Sequence, residues 1–455
     1  MNPYEFIEAN HNQFLEDLKD WLRIPSISTL SEHNADVRKA ADWIKAHLDS
    51  IGLTRTEIFE TPGHPLVYGE WLGAGNAPTV LIYGHYDVQP ADDDEGLWQS
   101  DPFEPVVRDG NLYARGATDD KGQTFTQVKA IHSLLQSGQM PVNVKFILEG
   151  EEESGSNHIH TFVNEHPDLL ATDVVVVSDT SFHAPDQPSI VYGLRGITYL
   201  EIEVRGPAQD LHSGMYGGIV HNPAQALVEI LAALHDADGR VTVPGFYDKV
   251  RPLATDERAE LAKTPFPPER LERETGLKTP WGEPGYELHE RLGARPTLEI
   301  NGIIGGRTGE GAKTVLPARA LAKVSCRLVP DQDPKEIEAL IAQHVASITP
   351  ETVTSEVRVL HRGKWAIVEQ DSPFMQAAAR AFELGFGKRP VFTREGGSIP
   401  IVGTFQDQLN APVILMGFGL PDDNLHGPNE KYALENFRKG MQTAIRFYEG
   451  ISTLK

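Results

Sequence analysis

A single cysteine, Cys326, stands among 455 residues, so no disulfide can form within the chain and a thiolate-rich zinc site is excluded. It lies in an alternating apolar segment and reads as a small buried hydrophobe, not a nucleophile. Apolar runs are no longer than a strand, as at Val174–Val177, too short to span a bilayer as a helix. The opening MNPYEFIEAN has neither the basic start nor the apolar stretch of a secretory signal. Export is therefore not expected, and a cytoplasmic location is. Positive charge is scarce too. Lys and Arg number 41 against 65 Asp and Glu, for a net charge of -24. Such a surface repels phosphate backbones and anionic lipids, so neither nucleic acid nor a membrane is expected as a partner.

What is present begins with length: 455 residues exceed one ordinary core, and two domains are expected. In the first third, Phe14, Leu15, Leu18, Trp21 and Leu22 recur at helical spacing and stop before Pro25. Val37, Ala40, Ala41, Ile44, Leu48 and Ile51 form a second helical face, closed by Gly52. Short continuous apolar runs at Val80–Tyr83, Val142–Leu148, Val174–Val177 and Pro412–Met416 suit strands buried on both faces. The predicted fold class is α/β, a mostly parallel sheet flanked by helices.

The middle of the chain differs. Thr198, Leu200, Ile202 and Val204 alternate as in a half-exposed strand. A helix opens at Asn222-Pro223, strands follow near Thr297–Ile300 and Leu321–Val329, a helix opens at Asp333-Pro334, and a last strand lies around Val357–Leu360. In order this is β-α-β-β-α-β, a ferredoxin-like α+β domain inserted into the first. The expected boundaries are 1–193 and 366–455 for the two parts of the outer domain and 194–365 for the inserted one. A Pro- and charge-rich stretch from Val243 to Ala294 has no legible structure.

The chemistry sits at the strand ends. The first apolar run leads into His85-Tyr86-Asp87, the second into Glu149-Gly150-Glu151-Glu152-Glu153, the third into Ser178-Asp179, and the last, through a Gly-containing loop, to His426. In a parallel sheet these carboxyl ends share one edge, where open α/β folds bind ligands. A fifth segment, Gly116-Ala117-Thr118-Asp119-Asp120-Lys121-Gly122, precedes a predicted helix. Capping accounts for one of its two acids, not both. Two histidines with several carboxylates suit zinc, cobalt or manganese. A metal pair needs a shared ligand, which a carboxylate can be, and a base not committed to metal. Glu152 and Glu153 offer one residue for each task.

These motifs, His85-Tyr86-Asp87, Asp119-Asp120-Lys121-Gly122, Glu152-Glu153-Ser154-Gly155-Ser156, Ser178-Asp179 and His426, resemble in order those of the co-catalytic zinc peptidases. That family includes aminoacylases, glutamate carboxypeptidase, desuccinylases and carnosine dipeptidases. The resemblance implies two divalent ions per subunit, Zn2+ first, with Mn2+ or Co2+ as alternatives. It implies that Asp119 bridges them, with His85 and Asp179 on one ion and Glu153 and His426 on the other. Glu152 would be the general base, and Asp87 would orient His85. Glu149 and Glu151 are read as surface charge, and Asp120 is given no role. His212, in Asp210-Leu211-His212-Ser213-Gly214-Met215-Tyr216-Gly217-Gly218, matches a histidine that in dimeric relatives reaches the partner's active site, which implies a homodimer with His212 acting in trans. The inserted domain is then a lid and dimerisation domain. Thr314, Arg327, Gly397 and Ser398 resemble substrate-binding positions, Arg327 facing a terminal carboxylate. The extended His212–Gly218 string and the long insertion resemble the carnosine-type dipeptidases, so the expected reaction is dipeptide hydrolysis. An N-acyl amino acid amidohydrolase uses the same site and stays the alternative, ahead of a catalytically silent binding protein, which would not be expected to keep Glu152 and every ligand position.

Overall fold

The computed structural model of the chain describes residues 1–92, 96–397 and 399–454. It divides into two compact units, one of residues 1–192, 368–393 and 401–455, the other of residues 193–367 and 394–400.

The first unit is framed by seven strands of a nine-stranded sheet: β1 (Arg55–Phe59), β2 (Leu66–Trp71), β3 (Thr79–His85), β4 (Asn143–Glu149), β5 (Val174–Val177), β6 (Ser189–Leu194) and β7 (Val413–Leu415). Their order across the sheet is β1-β2-β4-β3-β5-β7-β6. The central four, β4, β3, β5 and β7, are parallel, and antiparallel strands flank them on both sides. Every residue of β4 and β5 is buried, so β5 is an unbroken apolar run, while β4 also buries Asn143 and Lys145 among its apolar residues. Among the flanking helices, Pro3–Leu22 starts with a capping box between Asn2 and Glu5, and Asn34–Ile51 ends at Gly52 in the left-handed conformation, φ +107°.

Helix Lys121–Ser137 is buried on nearly all sides, polar residues included. Each long polar side chain therefore needs a partner. The Lys121 Nζ donates to the carbonyls of Trp21 and Ile24, 3.2 and 2.7 Å. Gln123 donates to the Thr118 carbonyl and accepts from the Phe418 N–H at 2.6 Å. The helix thereby ties the turn at its own start to the loop that leaves β7.

The second unit holds a four-stranded antiparallel sheet in the order Thr297–Gly305, Arg319–Leu328, Gly196–Arg205, Thr354–Gly363. Helices Pro223–Ala232 and Pro334–Ile348 cover one face, and with the chain order this is the ferredoxin-like arrangement. Leu200, Ile202, Val204, Leu227, Ile230, Ala322, Val324, Cys326 and Ile341 form its core, so Cys326 is the buried hydrophobe expected. The 243–294 stretch contains three short helices, Thr255–Leu261, Pro268–Thr275 and Leu288–Ala294.

Candidate metal centre

The carboxyl ends of the parallel strands bring the predicted ligands of the first unit together. His85 is the last residue of β3 and is fully buried. Asp179 follows β5 by two positions. Asp119 lies on the turn that opens helix Lys121–Ser137, and the Asp119–Asp120 peptide is cis. Glu153 lies in a single 3-10 turn after β4. His426 sits in the loop after β7 at φ +59°, its side chain 57% exposed, while the other donors are buried or half-buried.

Two clusters result, and they share one residue. The His85 Nε2 lies 3.1 Å from Asp119 Oδ1 and 4.0 Å from Asp179 Oδ2. The His426 Nε2 lies 3.0 Å from Asp119 Oδ2 and 3.3 Å from Glu153 Oε2. His85, Asp119 and Asp179 form one potential ligand group and Asp119, Glu153 and His426 the other, with all ligand atoms of a group within 4.8 Å of one another. Each oxygen of the Asp119 carboxylate thus serves a different cluster.

The charges fit divalent cations. Burial alone would lower the His85 pKa, but the Asp119 and Asp87 carboxylates outweigh it and raise it well above normal. His426 is pushed up to about 10 by Asp119 and Glu153. Burial would raise Asp119, yet His426 and His85 hold it below the usual carboxylate range. Buried carboxylates that hold their histidines charged are seeking positive charge, and oxygen and imidazole donors suit zinc, manganese or cobalt.

The support around these donors is extensive. The Asp87 carboxylate, fully buried, accepts from the Ser28 hydroxyl (2.6 Å) and from the backbone N–H groups of Glu152 (3.2 Å) and Glu153 (3.1 Å). The His85 Nδ1 faces the Asp87 carbonyl at 3.1 Å and carboxylate at 3.4 Å, which leaves Nε2 for a metal. Sequence reasoning missed three further residues. Glu430, fully buried, accepts from Arg115 Nη1 (2.8 Å) and from the N–H groups of Gly116, Thr118 and Asp119 (2.9, 2.9 and 3.0 Å). It holds the turn that presents Asp119. Asp423 accepts from the Thr118 hydroxyl at 3.0 Å and the Leu420 N–H at 2.7 Å. Gln89 donates to Glu153 Oε2 at 2.7 Å. Only their nearness to the motifs could have flagged Glu430 and Gln89.

Two expectations are corrected. Glu149 is not surface charge: it is fully buried, accepts from the Tyr83 hydroxyl (2.6 Å) and Ser156 hydroxyl (3.0 Å), and burial pushes its pKa up to about 8. Glu151 is buried as well, accepting from the His64 N–H (3.1 Å) and pairing with His158 (2.7 Å). The acids were misread because β4 ends among buried neighbours and the following turn folds inward. Asp120, left without a role, is buried and accepts from the His85 N–H (3.2 Å) and the Thr124 hydroxyl (2.7 Å).

Glu152 is half-buried beside these groups. Its carboxylate takes no hydrogen bond from the described residues, and burial raises its pKa, an effect that His85 opposes and Asp179, Glu153 and Asp119 reinforce. In the second unit, His212 is exposed and its Nδ1 accepts from the Gly214 N–H at 3.0 Å. Thr314 lies beside it, its carbonyl accepting from the Ser213 N–H at 3.1 Å. Arg327, on strand Arg319–Leu328, is half-buried, and burial lowers its pKa. Gly397 is exposed, with open space where a Cβ would be. Ser398 lies outside the described residues.

Residues 81–450 match the profile described as Peptidase family M20/M25/M40. The chain is 35% identical over 469 residues to a Cys-Gly metallodipeptidase of Schizosaccharomyces pombe, covering 99% of this chain and 98% of the relative. It is 32% identical over 470 residues to a Beta-Ala-His dipeptidase of Rattus norvegicus, covering 99% and 95%. A solved structure of an M20 family metallo-carboxypeptidase from Sulfolobus solfataricus superposes with a TM-score of 0.88 at 31% identity, covering 97% of this chain and 99% of that one. With two ligand clusters joined at Asp119 on a parallel sheet edge, and similarity that runs nearly end to end, the chain belongs to peptidase family M20/M25/M40.

Proposed function

We propose that this protein is a metallodipeptidase in which two divalent ions share Asp119. The observation that carries the reading is the pair of ligand clusters meeting at the two oxygens of one carboxylate, with an uncommitted glutamate alongside. The full-length relatives named as dipeptidases support the substrate class. His85 and Asp179 would hold one ion and Glu153 and His426 the other. When bound, such a pair lowers the pKa of a water and polarises the carbonyl it attacks.

The rest of the chemistry falls to the chain. Glu153 is engaged by Gln89 and His426, whereas Glu152 is not engaged. Glu152 is therefore the general base: it takes a proton from the attacking water and returns it to the leaving amine nitrogen. Asp87 fixes both His85 and the turn that carries Glu152. Thr314, Arg327, Gly397 and Ser398 are the substrate-binding set, with the Arg327 guanidinium and the glycine turn meeting the terminal carboxylate.

The working form in this reading is a homodimer, and His212 supports the oxyanion of the partner's site. The exposure of His212, Met215 (70%) and Ile219 (79%), and of Ile303 and Ile304 on the edge strand Thr297–Gly305, supports a covering partner. Mixing inactive Glu152→Ala chains with inactive His212→Ala chains should restore activity, and no recovery would contradict the trans role. Zn2+ is the first-choice metal, with Mn2+ or Co2+ accepted by the same donors. A cytoplasmic setting is part of the reading. No helix among the described residues is long and apolar enough to cross a membrane.

The deciding experiment follows amino-acid release from matched dipeptides and N-acetyl amino acids after reconstitution with zinc or manganese. Cleavage of dipeptides that is lost on acetylating the free amine is the expected result. Preference for the acetylated compounds would replace the dipeptidase reading with a deacylase on the same site.

A further inference from the structure

The stretch 243–294 contributes no ligand and no residue to the reading above. Its helix Pro268–Thr275 buries none of its side chains. Within the second unit, however, it is fastened to distant sequence at several points, through Phe246 to Gln332 and Lys249 to Glu336 among others, and one of these points is the short segment 394–397.

Three contacts make the attachment. The Arg394 guanidinium donates to Glu257 on helix Thr255–Leu261, a pair in which Arg394 is 6% and Glu257 18% exposed. Gly293, on helix Leu288–Ala294, lies flat against Arg394: a Cβ there would stand 2.5 Å from the Arg394 carbonyl oxygen and 2.6 Å from its Cβ. A Cβ on Gly396 would stand 2.8 Å from the Leu292 carbonyl oxygen. Backbone meets backbone on both sides of the turn, at positions where only glycine fits.

A buried relay holds the same segment. Glu283 grips Arg295 through two bonds, 2.7 and 2.9 Å, and also accepts from Arg240 at 2.7 Å. The Arg295 guanidinium lies over the Tyr286 ring at 4.2 Å. With Arg295 fixed, its carbonyl accepts from Arg195 Nη1 at 3.2 Å, and Arg195 Nε donates to the Gly396 carbonyl at 3.0 Å. Arg195 and Glu283 are both buried, so neither end of the relay is free to drift.

We propose that the 243–294 insertion is the mount of the Gly396-Gly397 turn, and that Arg195, Glu257, Glu283 and Gly293 are positioning residues for recognition of the substrate's terminal carboxylate. The proposal rests on the reading of Gly397 and Arg327 as carboxylate-binding. Fixed backbone donors recognise a carboxylate only when they are held in place, and displacement by about 1 Å costs as much as 100-fold. The insertion thus sets how strictly the enzyme demands a free terminus.

The experiment compares kcat/KM for a dipeptide and for its C-terminal amide in the zinc-loaded wild type, Arg327→Met, Gly293→Ala and Glu257→Gln. General damage lowers both substrates alike, whereas a displaced turn lowers the acid-over-amide preference. The expected result is a clear wild-type preference, abolished in Arg327→Met. Gly293→Ala and Glu257→Gln should reduce it about tenfold through KM, at wild-type metal content. If Gly293→Ala does not fold, Glu257→Gln decides. Preference lost in Arg327→Met but intact in Gly293→Ala and Glu257→Gln would overturn the mount and leave the carboxylate reading standing. No preference in the wild type would overturn that reading, and the mount with it.

Discussion

Replacing Asp87 with asparagine changes one atom and tests how the metal centre is held. Its carboxylate is fully buried and receives the Ser28 hydroxyl and the Glu152 and Glu153 N–H groups, with the His85 Nδ1 at 3.4 Å. Oδ1 faces the Glu152 N–H and Oδ2 the Glu153 N–H. Whichever way the asparagine amide is turned, its NH2 meets one of these donors. One buried backbone N–H left without an acceptor costs about 1–3 kcal/mol. Losing the charge that orients His85 adds to this, and partners of this kind are worth roughly 10–100-fold in metal affinity. Together about 3 kcal/mol is at stake, near 100-fold in kcat/KM. Ser28→Ala is the graded control: it removes one donor and leaves the carboxylate in place, for about 1 kcal/mol, or roughly fivefold. The assay pairs dipeptide turnover at saturating metal with metal affinity by competition against a chelator. Wild-type values of both in Asp87→Asn would show that this carboxylate does not hold the metal centre.

Three further outcomes follow from the same geometry. Glu152→Ala should lower turnover by several orders of magnitude with metal content near that of the wild type, because the base is not a ligand; elemental analysis beside the rate checks both. Glu430→Gln, read by thermal melting and metal content, should destabilise the first unit by about 3–5 kcal/mol, since it weakens the acceptor of a buried Arg115 and of three N–H groups. His47 is pulled down to about 3 and His132 to about 4 by burial first and then by the Lys129 cation. The unfolded chain takes up these protons near pH ~6.5 and the folded one does not, so stability is full above that pH and is lost as pH falls toward 4. His47→Gln should flatten that acid-side loss by on the order of 1–2 kcal/mol at pH ~5, seen as a smaller fall in Tm than the wild type between neutral and acid pH.

The parallel core was legible because burial on both faces leaves strands that are mostly apolar without alternation, Asn143 and Lys145 of β4 excepted, and each run in β3, β4, β5 and β7 ends in or leads to a candidate metal-binding side chain. The ferredoxin-like unit was legible from the alternation at Thr198–Val204 and from proline-started helices. Glu430 and Asp423 were not. Each lies in a loop, more than 300 positions from Thr118, with no motif around it, and only tertiary contact makes either one a scaffold for Asp119. The 243–294 stretch stayed opaque for a different reason. Its helices run no longer than eight residues and are held by ion pairs and ring contacts such as Arg270 over Phe266 and Arg258 over Tyr286, which carry no periodic signal.

The most direct test of the account strips the protein with a chelator, adds zinc or manganese in measured steps, and records bound metal per chain by native mass spectrometry beside dipeptide hydrolysis. The expected result is no hydrolysis in the stripped protein, two ions per chain at saturation, and loss of metal as well as of rate in Asp119→Ala. Full hydrolysis without metal, or saturation at one ion per chain with Asp119→Ala binding as the wild type does, would contradict it.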